Sequence, residues 1–220
     1  MFNIFVMLLI AAVSYLIGCV NASIIVTKLF DAGNDIREVG SGNAGFTNVL
    51  RTKGKKLAIY TFLIDFAKGV AAVYFAHVMM TFCLGFDADS FAFCFGEYLA
   101  CFSCILGHVY PCFFGFKGGK AILTTWAATL LIDWRIFLVL ISVFAVILVF
   151  TKIVSLASVC AAVAFPISVG IIYLVSDVDS DLFATALVFS FLISALVIYK
   201  HRKNIQRLLS GTEGKITVHK

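Results

Sequence analysis

Gly40-Ser41-Gly42-Asn43-Ala44-Gly45-Phe46-Thr47-Asn48-Val49-Leu50-Arg51 admits two readings, and the choice between them decides the fold class. Its glycines match G-x-G-x-x-G letter for letter. That fingerprint belongs to a dinucleotide-binding βαβ unit, with a strand directly before it and a helix after it. Here the residues upstream form Asn3–Val26, an apolar segment long enough to cross a bilayer. The stretch is therefore a polar loop of a membrane protein. Gly40, Gly42 and Gly45 let the backbone turn sharply and approach a ligand. Ser41, Asn43, Thr47 and Asn48 offer neutral donors and acceptors, and Arg51 offers a forked cation suited to phosphate or carboxylate. Successive N–H groups in such a loop can form an anion-binding nest. The plainer alternative is a glycine-rich turn between two helices.

Composition agrees with the membrane reading. Of 220 residues, 62% are hydrophobic and 13% are charged, with only two prolines. Soluble domains are nearer half apolar and a quarter charged. One compact membrane domain over 1–220 is the simplest count. Six further apolar stretches follow the first: Leu57–Cys83, Ser90–Leu106, Ala121–Ile132, Ile136–Phe150, Ile153–Val175 and Leu182–Tyr199. Ala121–Ile132 is short for a span and is expected to tilt, to use part of the preceding loop, or to be broken. Pro166 predicts a kink in the sixth span. Met1–Val26 has no basic leader and reads as a retained span, not a removable signal. Asn21 and Ser23 interrupt its end, as contacts between helices or as part of a site.

Charge orients the spans. With seven crossings, every one of the 17 Lys and Arg residues except Lys68 and Arg135 falls on one side, Lys28 to Lys220. The opposite side collects Asp87, Asp89, Asp133, Asp177, Asp179 and Asp181. Basic loops mark the cytoplasm. The expectation is an all-α protein of seven transmembrane helices, N-terminus extracytoplasmic and C-terminus cytoplasmic. Gly40–Arg51, Gly107–Lys120, the Lys152–Ser155 turn and the tail from Lys200 would then share one membrane surface.

Two further polar stretches carry chemistry. In Gly107–Lys120, Lys117 and Lys120 bracket a glycine pair, an arrangement suited to phosphate. It is not a P-loop: Gly115 stands one residue too close to Gly119-Lys120, and Ala121 replaces the magnesium-binding hydroxyl. Positive-inside anchoring is the plainer account. In the tail, His201 and Asn204 are one helical turn apart, and Glu213 follows Gly211, so it can fold back towards them. A basic helix attracted to anionic lipid is the alternative there. Ser155 and Ser158 begin the sixth span, where a free hydroxyl suits an anion and N-capping would also occupy one. Asp65 and Lys68, three apart in the second span, read as a neutralised pair. His77 and Glu97 have no evident partner. Cys101 and Cys104 form a lone C-x-x-C without a second pair, so no metal site is expected.

Together these stretches resemble the bacterial acyl-phosphate:glycerol-3-phosphate acyltransferase family (PlsY). Gly40–Arg51 is similar to that family's S-G-N-P-G-A-T-N-V-x-R, and Gly107–Lys120 to its G-H-x-x-P-x-F-x-x-F-K-G-G-K-G. The tail is similar to H-R-x-N-I-x-R-L-x-x-G-x-E, and Leu63–Gly69 to L-x-D-x-x-K-G. Ala44, Phe46, Ala121 and Leu123 depart from the pattern, whereas its charged and hydroxyl positions are intact. The resemblance implies transfer of a fatty acyl group from acyl phosphate to glycerol 3-phosphate. The products would be lysophosphatidic acid and phosphate, the first step of phospholipid synthesis. It implies no cofactor and no metal. It implies catalytic roles for His201, Asn204 and Ser41, and substrate binding by Gly42, Asn43, Arg51, Lys117, Lys120, Ser155 and Glu213. Partners would be the two substrates and membrane lipids, with no nucleic acid, for a monomer or weak homo-oligomer. The setting would be the bacterial cell membrane, multi-pass, with active-site loops facing the cytoplasm.

The implied chemistry is physically coherent. Two phosphate-bearing substrates repel unless cations such as Arg51, Lys117 and Lys120 offset them. Acyl phosphate is already activated, so no covalent enzyme intermediate is required. Alignment of hydroxyl and carbonyl can supply roughly 7–11 kcal/mol, and each good oxyanion donor about 3–4 kcal/mol. The hydroxyl proton goes either to His201 or to a substrate phosphate. The alternatives in function are an organic-phosphate transporter or binding protein, and a paralogous lipid-phosphate transferase. Visible inverted repeats and a midplane site would mark the transporter.

Overall fold

The computed structural model describes residues 4–31, 33–88 and 90–216. Asn3, Asp89 and Lys220, which entered the assignment of spans and sides, lie outside the described residues. Every described element is helical. Ten α-helices run in order: α1 Ile4–Cys19, α2 Ala22–Phe30, α3 Phe46–Lys53, α4 Lys55–Val78, α5 Phe91–Val109, α6 Ile122–Ile132, α7 Trp134–Thr151, α8 Val154–Val175, α9 Ser180–Lys200 and α10 Arg202–Leu209. All seven apolar stretches are thus helical. Six helical runs among the described residues are long and apolar enough to cross a membrane. The other is α6, whose 11 residues cover about 16 Å at 1.5 Å per residue. The shortness expected of Ala121–Ile132 is real.

The chain divides into two compact units, Met1–Ile132 and Asp133–Lys220. In the first unit α5 is the most buried span, and it packs against α1, α4 and α6. The α1–α5 crossing depends on two glycines. A Cβ on Gly18 would strike the Cys104 carbonyl, and one on Gly107 would strike the Tyr15 carbonyl. Glycine is the residue that lets two backbones come this close. Tyr15 Oη completes the crossing by donating to the Tyr110 carbonyl at 2.8 Å.

The first apolar run is broken, and Asn21 breaks it. Its extended backbone ends the helical path, and its side chain caps α2 by accepting from Ile24 N at 3.2 Å. Ser23 Oγ donates to the same Asn21 oxygen at 2.7 Å. These two polar residues are buried structural contacts, one of the two roles expected of them. At the far end of α4, His77 bonds to Glu97 of α5, a pairing across 20 residues that no local spacing announces.

In the second unit α8 packs between α7 and α9. α8 runs on through Pro166. A proline has no N–H for the carbonyl four residues back, here that of Ala162. Ser194 of α9 supplies the missing donor, with Oγ 2.7 Å from Ala162 O. Lys152 ends α7 in a left-handed conformation, φ 60°, which turns the chain directly into α8.

Candidate active site

The first polar loop is built on Asn48, a residue the sequence reading treated only as a hydrogen-bonding group. It is buried in the first turn of α3. Its Oδ1 accepts from Ser41 N at 3.0 Å. Its Nδ2 donates to the carbonyls of Ile36 at 3.1 Å and Val39 at 3.0 Å. One side chain thus ties both limbs of the loop, with Gly42 at φ 69° between them. Asn43 is half-buried beside Gly45. Arg51 is exposed in the last turn of α3.

Asp35 and Arg37, assigned no role from the sequence, join this loop to the second. Arg37 Nε and Nη2 donate to the two Asp35 carboxylate oxygens at 3.0 and 2.7 Å. Arg37 Nη1 reaches the Phe114 carbonyl at 2.7 Å. Lys28 Nζ lies 3.6 Å from Asp35. The Arg37 hydrogen bonds outweigh the opposing effect of burial and hold the Asp35 carboxyl at about 2.

The second loop hangs from the end of α5. Gly118 N donates to Val109 O at 3.2 Å and Gly119 N to His108 O at 3.1 Å. Gly119 has no room for a side chain, because a Cβ there would meet His108 Nε2 and the Ala44 carbonyl of the first loop. Lys117 is exposed and Lys120 half-buried on either side of this glycine pair. Ala121, where the resembled motif has glycine, holds φ 62°, a left-handed conformation that costs a β-carbon roughly 1–2 kcal/mol. A cavity of about 670 Å³ lies between the two loops, lined by Gly42 and Lys117 from the predicted set together with Lys28, Asp35, Arg37, Glu38 and Phe114.

Behind the loops stands a buried polar group. Lys68 Nζ lies 2.7 Å from Asp65 Oδ1, 2.7 Å from His108 Nδ1 and 2.9 Å from Val20 O. The expected Asp65–Lys68 pair is present, and His108 extends it.

In the second unit, Glu213 is the hub. Its Oε1 accepts from Ser155 Oγ and Asn204 Nδ2, both at 2.6 Å, and its Oε2 accepts from Arg207 Nε at 2.6 Å. The fold-back of Glu213 onto Asn204 is as expected. Burial alone would raise this carboxyl, but the three donors prevail and hold it below the ordinary carboxylate range. Ser155 neither caps α8 nor presents its hydroxyl to an anion here, since it donates to the carboxylate. Ser158 bonds back to Val154 O at 2.9 Å. His201 forms the joint between α9 and α10, is 2% exposed, and sets Nδ1 2.8 Å from Val197 O. A carbonyl only accepts, so Nδ1 carries the ring proton and Nε2 is the acceptor nitrogen of the neutral ring. Ile216 N closes the tail onto Lys152 O at 2.8 Å. Arg207 is the one member of this group that motif reading quoted without assigning it a role.

Comparison with known proteins places this geometry among its relatives. A family model described as glycerol-3-phosphate acyltransferase matches residues 8–211. The chain is 41% identical to the glycerol-3-phosphate acyltransferase of Clostridioides difficile strain 630, over 97% of both chains. It is 37% identical to that of Chlorobaculum parvum over 96% of both. Among solved structures it is similar to PlsY, an integral membrane glycerol 3-phosphate acyltransferase, in its glycerol 3-phosphate form. There the TM-score is 0.78 and the identity 34%, over 96% of each chain. The lysophosphatidic acid form gives a TM-score of 0.77 at 32% identity, over 96% of this chain and 95% of that one.

Proposed function

This chain belongs to the glycerol-3-phosphate acyltransferase family, and on that premise we propose that it moves a fatty acyl group from acyl phosphate to glycerol 3-phosphate. The products are lysophosphatidic acid and inorganic phosphate, and the step opens phospholipid synthesis. The observation that carries this reading is the full-length likeness to a structure holding glycerol 3-phosphate and to one holding lysophosphatidic acid.

The glycerol hydroxyl attacks the acyl carbon, a tetrahedral oxyanion forms, and phosphate departs with the electrons of the C–O bond. In the first unit, Ser41, Gly42 and Asn43 offer loop donors, and Arg51, Lys117 and Lys120 offer cations for phosphate oxygens. In the second, Glu213 fixes Asn204, Ser155 and Arg207. His201, held through Nδ1 by Val197 O, is the side chain that would take the proton of the attacking hydroxyl. The test is phosphate release by the purified protein in lipid, given palmitoyl phosphate with and without glycerol 3-phosphate. Release that requires the acceptor and yields lysophosphatidic acid is expected. Acceptor-independent release, or none from folded protein, refutes the reading. His201→Ala should abolish turnover, whereas retained turnover with weakened glycerol 3-phosphate binding would confine His201 to positioning.

The chain crosses the membrane seven times in this proposal, with the N-terminus outside, the C-terminus in the cytoplasm and the active-site loops cytoplasmic. Segregation of Lys and Arg supports it, and α6 completes its crossing with the residues before it. Cysteines placed at Asp87 and Asp179 should label only from outside. Cytoplasmic labelling at either would overturn the topology. One membrane-embedded domain, in the cell membrane and as a monomer or weak homo-oligomer, completes the proposal.

A further inference from the structure

The Asp65–Lys68–His108 group has no place in the reaction just described, and stability does not demand it. Asp65 and Lys68 have side chains only 2% and 4% exposed, in a helix long and apolar enough to span a membrane. A buried ion pair can commonly be replaced by apolar side chains of similar volume at little cost in stability. Ionisable groups inside a span are expensive and generally serve a function.

The geometry says what they hold. An ammonium has three N–H donors and no lone pair. Val20 O and His108 Nδ1 lie 2.9 and 2.7 Å from Lys68 Nζ, Asp65 Oδ1 pairs with it as counter-ion at 2.7 Å, and His108 Nδ1 stands 3.6 Å from the same carboxylate oxygen. His108 Nδ1 is therefore an acceptor, and the ring proton sits on Nε2. That edge of the ring faces Gly119, wedged between His108 Nε2 and the Ala44 carbonyl. The backbone of the same histidine holds the loop, since His108 O accepts from Gly119 N and Val109 O from Gly118 N. Thr124 Oγ1, in the first turn of α6, donates to the Asp65 main-chain carbonyl at 3.4 Å, which sets the helix after the loop against the same turn of α4.

We propose that Lys68, Asp65 and His108 are positioning residues that lock the His108 ring and backbone, and through them the Gly118–Gly119 turn and the flanking cations Lys117 and Lys120. The proposal rests on the acyl-transfer reading for what the loop binds, and on the geometry alone for how the loop is held. A shift of about 1 Å in such a loop lowers reactivity on the order of 100-fold.

The test compares wild type with Lys68→Met and with the apolar triple variant Asp65→Leu, Lys68→Met, His108→Leu, which leaves no unpaired charge. In each, kcat and KM for glycerol 3-phosphate are measured with palmitoyl phosphate. The rate at which an amine-reactive reagent labels Lys117 and Lys120 is read by mass spectrometry. Nitrogen-15 shifts of His108 are recorded in the wild type. Expected are a folded triple variant with kcat/KM reduced on the order of 100-fold, labelling rates altered several-fold, and a His108 protonated at Nε2 and bare at Nδ1. Unchanged kinetics and labelling in a folded triple variant would overturn the proposal. So would a wild-type His108 protonated at Nδ1, which needs no variant to fold. Absence of turnover in the wild type would instead refute the acyl-transfer reading. The labelling rates and nitrogen shifts would still decide the positioning role.

Discussion

Replacing Glu213 by Gln tests whether one carboxylate docks the tail. Glutamine keeps the volume and one acceptor oxygen, which can still serve Ser155 or Asn204. Its amide nitrogen must then face Arg207 Nε, donor against donor. The lost bond is charge-assisted, worth about 1.5–3 kcal/mol when buried. Arg207 is 45% exposed, so solvent screening reduces this to about 1–1.5 kcal/mol. The local opening constant of the tail should rise roughly tenfold, since 1.4 kcal/mol is a factor of ten. Two amides report it: Thr212 N, bonded to Arg207 O, and Ile216 N, bonded to Lys152 O, each at 2.8 Å. Their hydrogen exchange should quicken about tenfold in Glu213→Gln. In Glu213→Ala, which removes the Ser155 and Asn204 bonds to the carboxylate as well, it should quicken on the order of 100-fold. Arg207→Leu should add little on top of Glu213→Gln, because both remove one bond. Exchange within twofold of wild type, or fully additive effects, would refute the hub. The carboxyl's folded-state pKa is depressed. Its contribution is therefore complete above the ordinary value of about 4.3 and is lost as pH falls through the lower folded value. Exchange corrected for intrinsic rate should be flat from about pH 7 to 5 and rise below.

Three other outcomes are expected. Ala121→Gly relieves a left-handed β-carbon and should stabilise by about 1 kcal/mol, seen as a rise in Tm in detergent. A fall would show that the loop is not strained there. Ser194→Ala should cost about 0.6–2 kcal/mol by stranding the Ala162 carbonyl. Adding Pro166→Ala should recover it, because the returning N–H supplies the donor, and a cycle showing no such coupling would refute the repair. Gly119→Ala should abolish turnover and lower Tm through its clash with His108 and Ala44. Gly170→Ala, whose Cβ meets nothing within 4 Å on α8, should leave activity unchanged. Equal behaviour of the two variants would undermine the close-packed account of the second loop.

Much of this was legible in the chain. Apolar length located the six helical runs long enough to cross a membrane, because a bilayer imposes length directly. Glycine and hydroxyl density located both loops and the tail. What escaped was pairing across distance. Arg37 looks like any basic loop residue until Phe114 O, 77 residues away, is found against its guanidinium. His77 and Glu97 are 20 residues apart, and neither position carries a periodic signal. His108 lay in a quoted motif, yet its partner Lys68 is 40 residues earlier. The break at Asn21 was half-visible: the polar interruption could be read, but the turn it makes depends on an extended backbone that apolar length conceals. Short α6 was foreseen because hydropathy measures length well, whereas the strain at Ala121 was not, because a single alanine carries no sign of its φ.

The Asp65–Lys68 pair has a consequence for biosynthesis. Because the two residues are three apart on one helix, α4 brings its own counter-ion with it as it leaves the ribosome. A lone lysine or aspartate at the centre of a span costs about 2.5–3.5 kcal/mol to insert, and the intrahelical pair offsets that charge before α5 has been made. The acceptor at Val20 has been synthesised by then, just before the break in the first apolar run, and His108 emerges forty residues later to accept a further hydrogen bond from the ammonium. The group assembles in the order in which it is translated, so the membrane never has to hold an ion whose partner is still to be made.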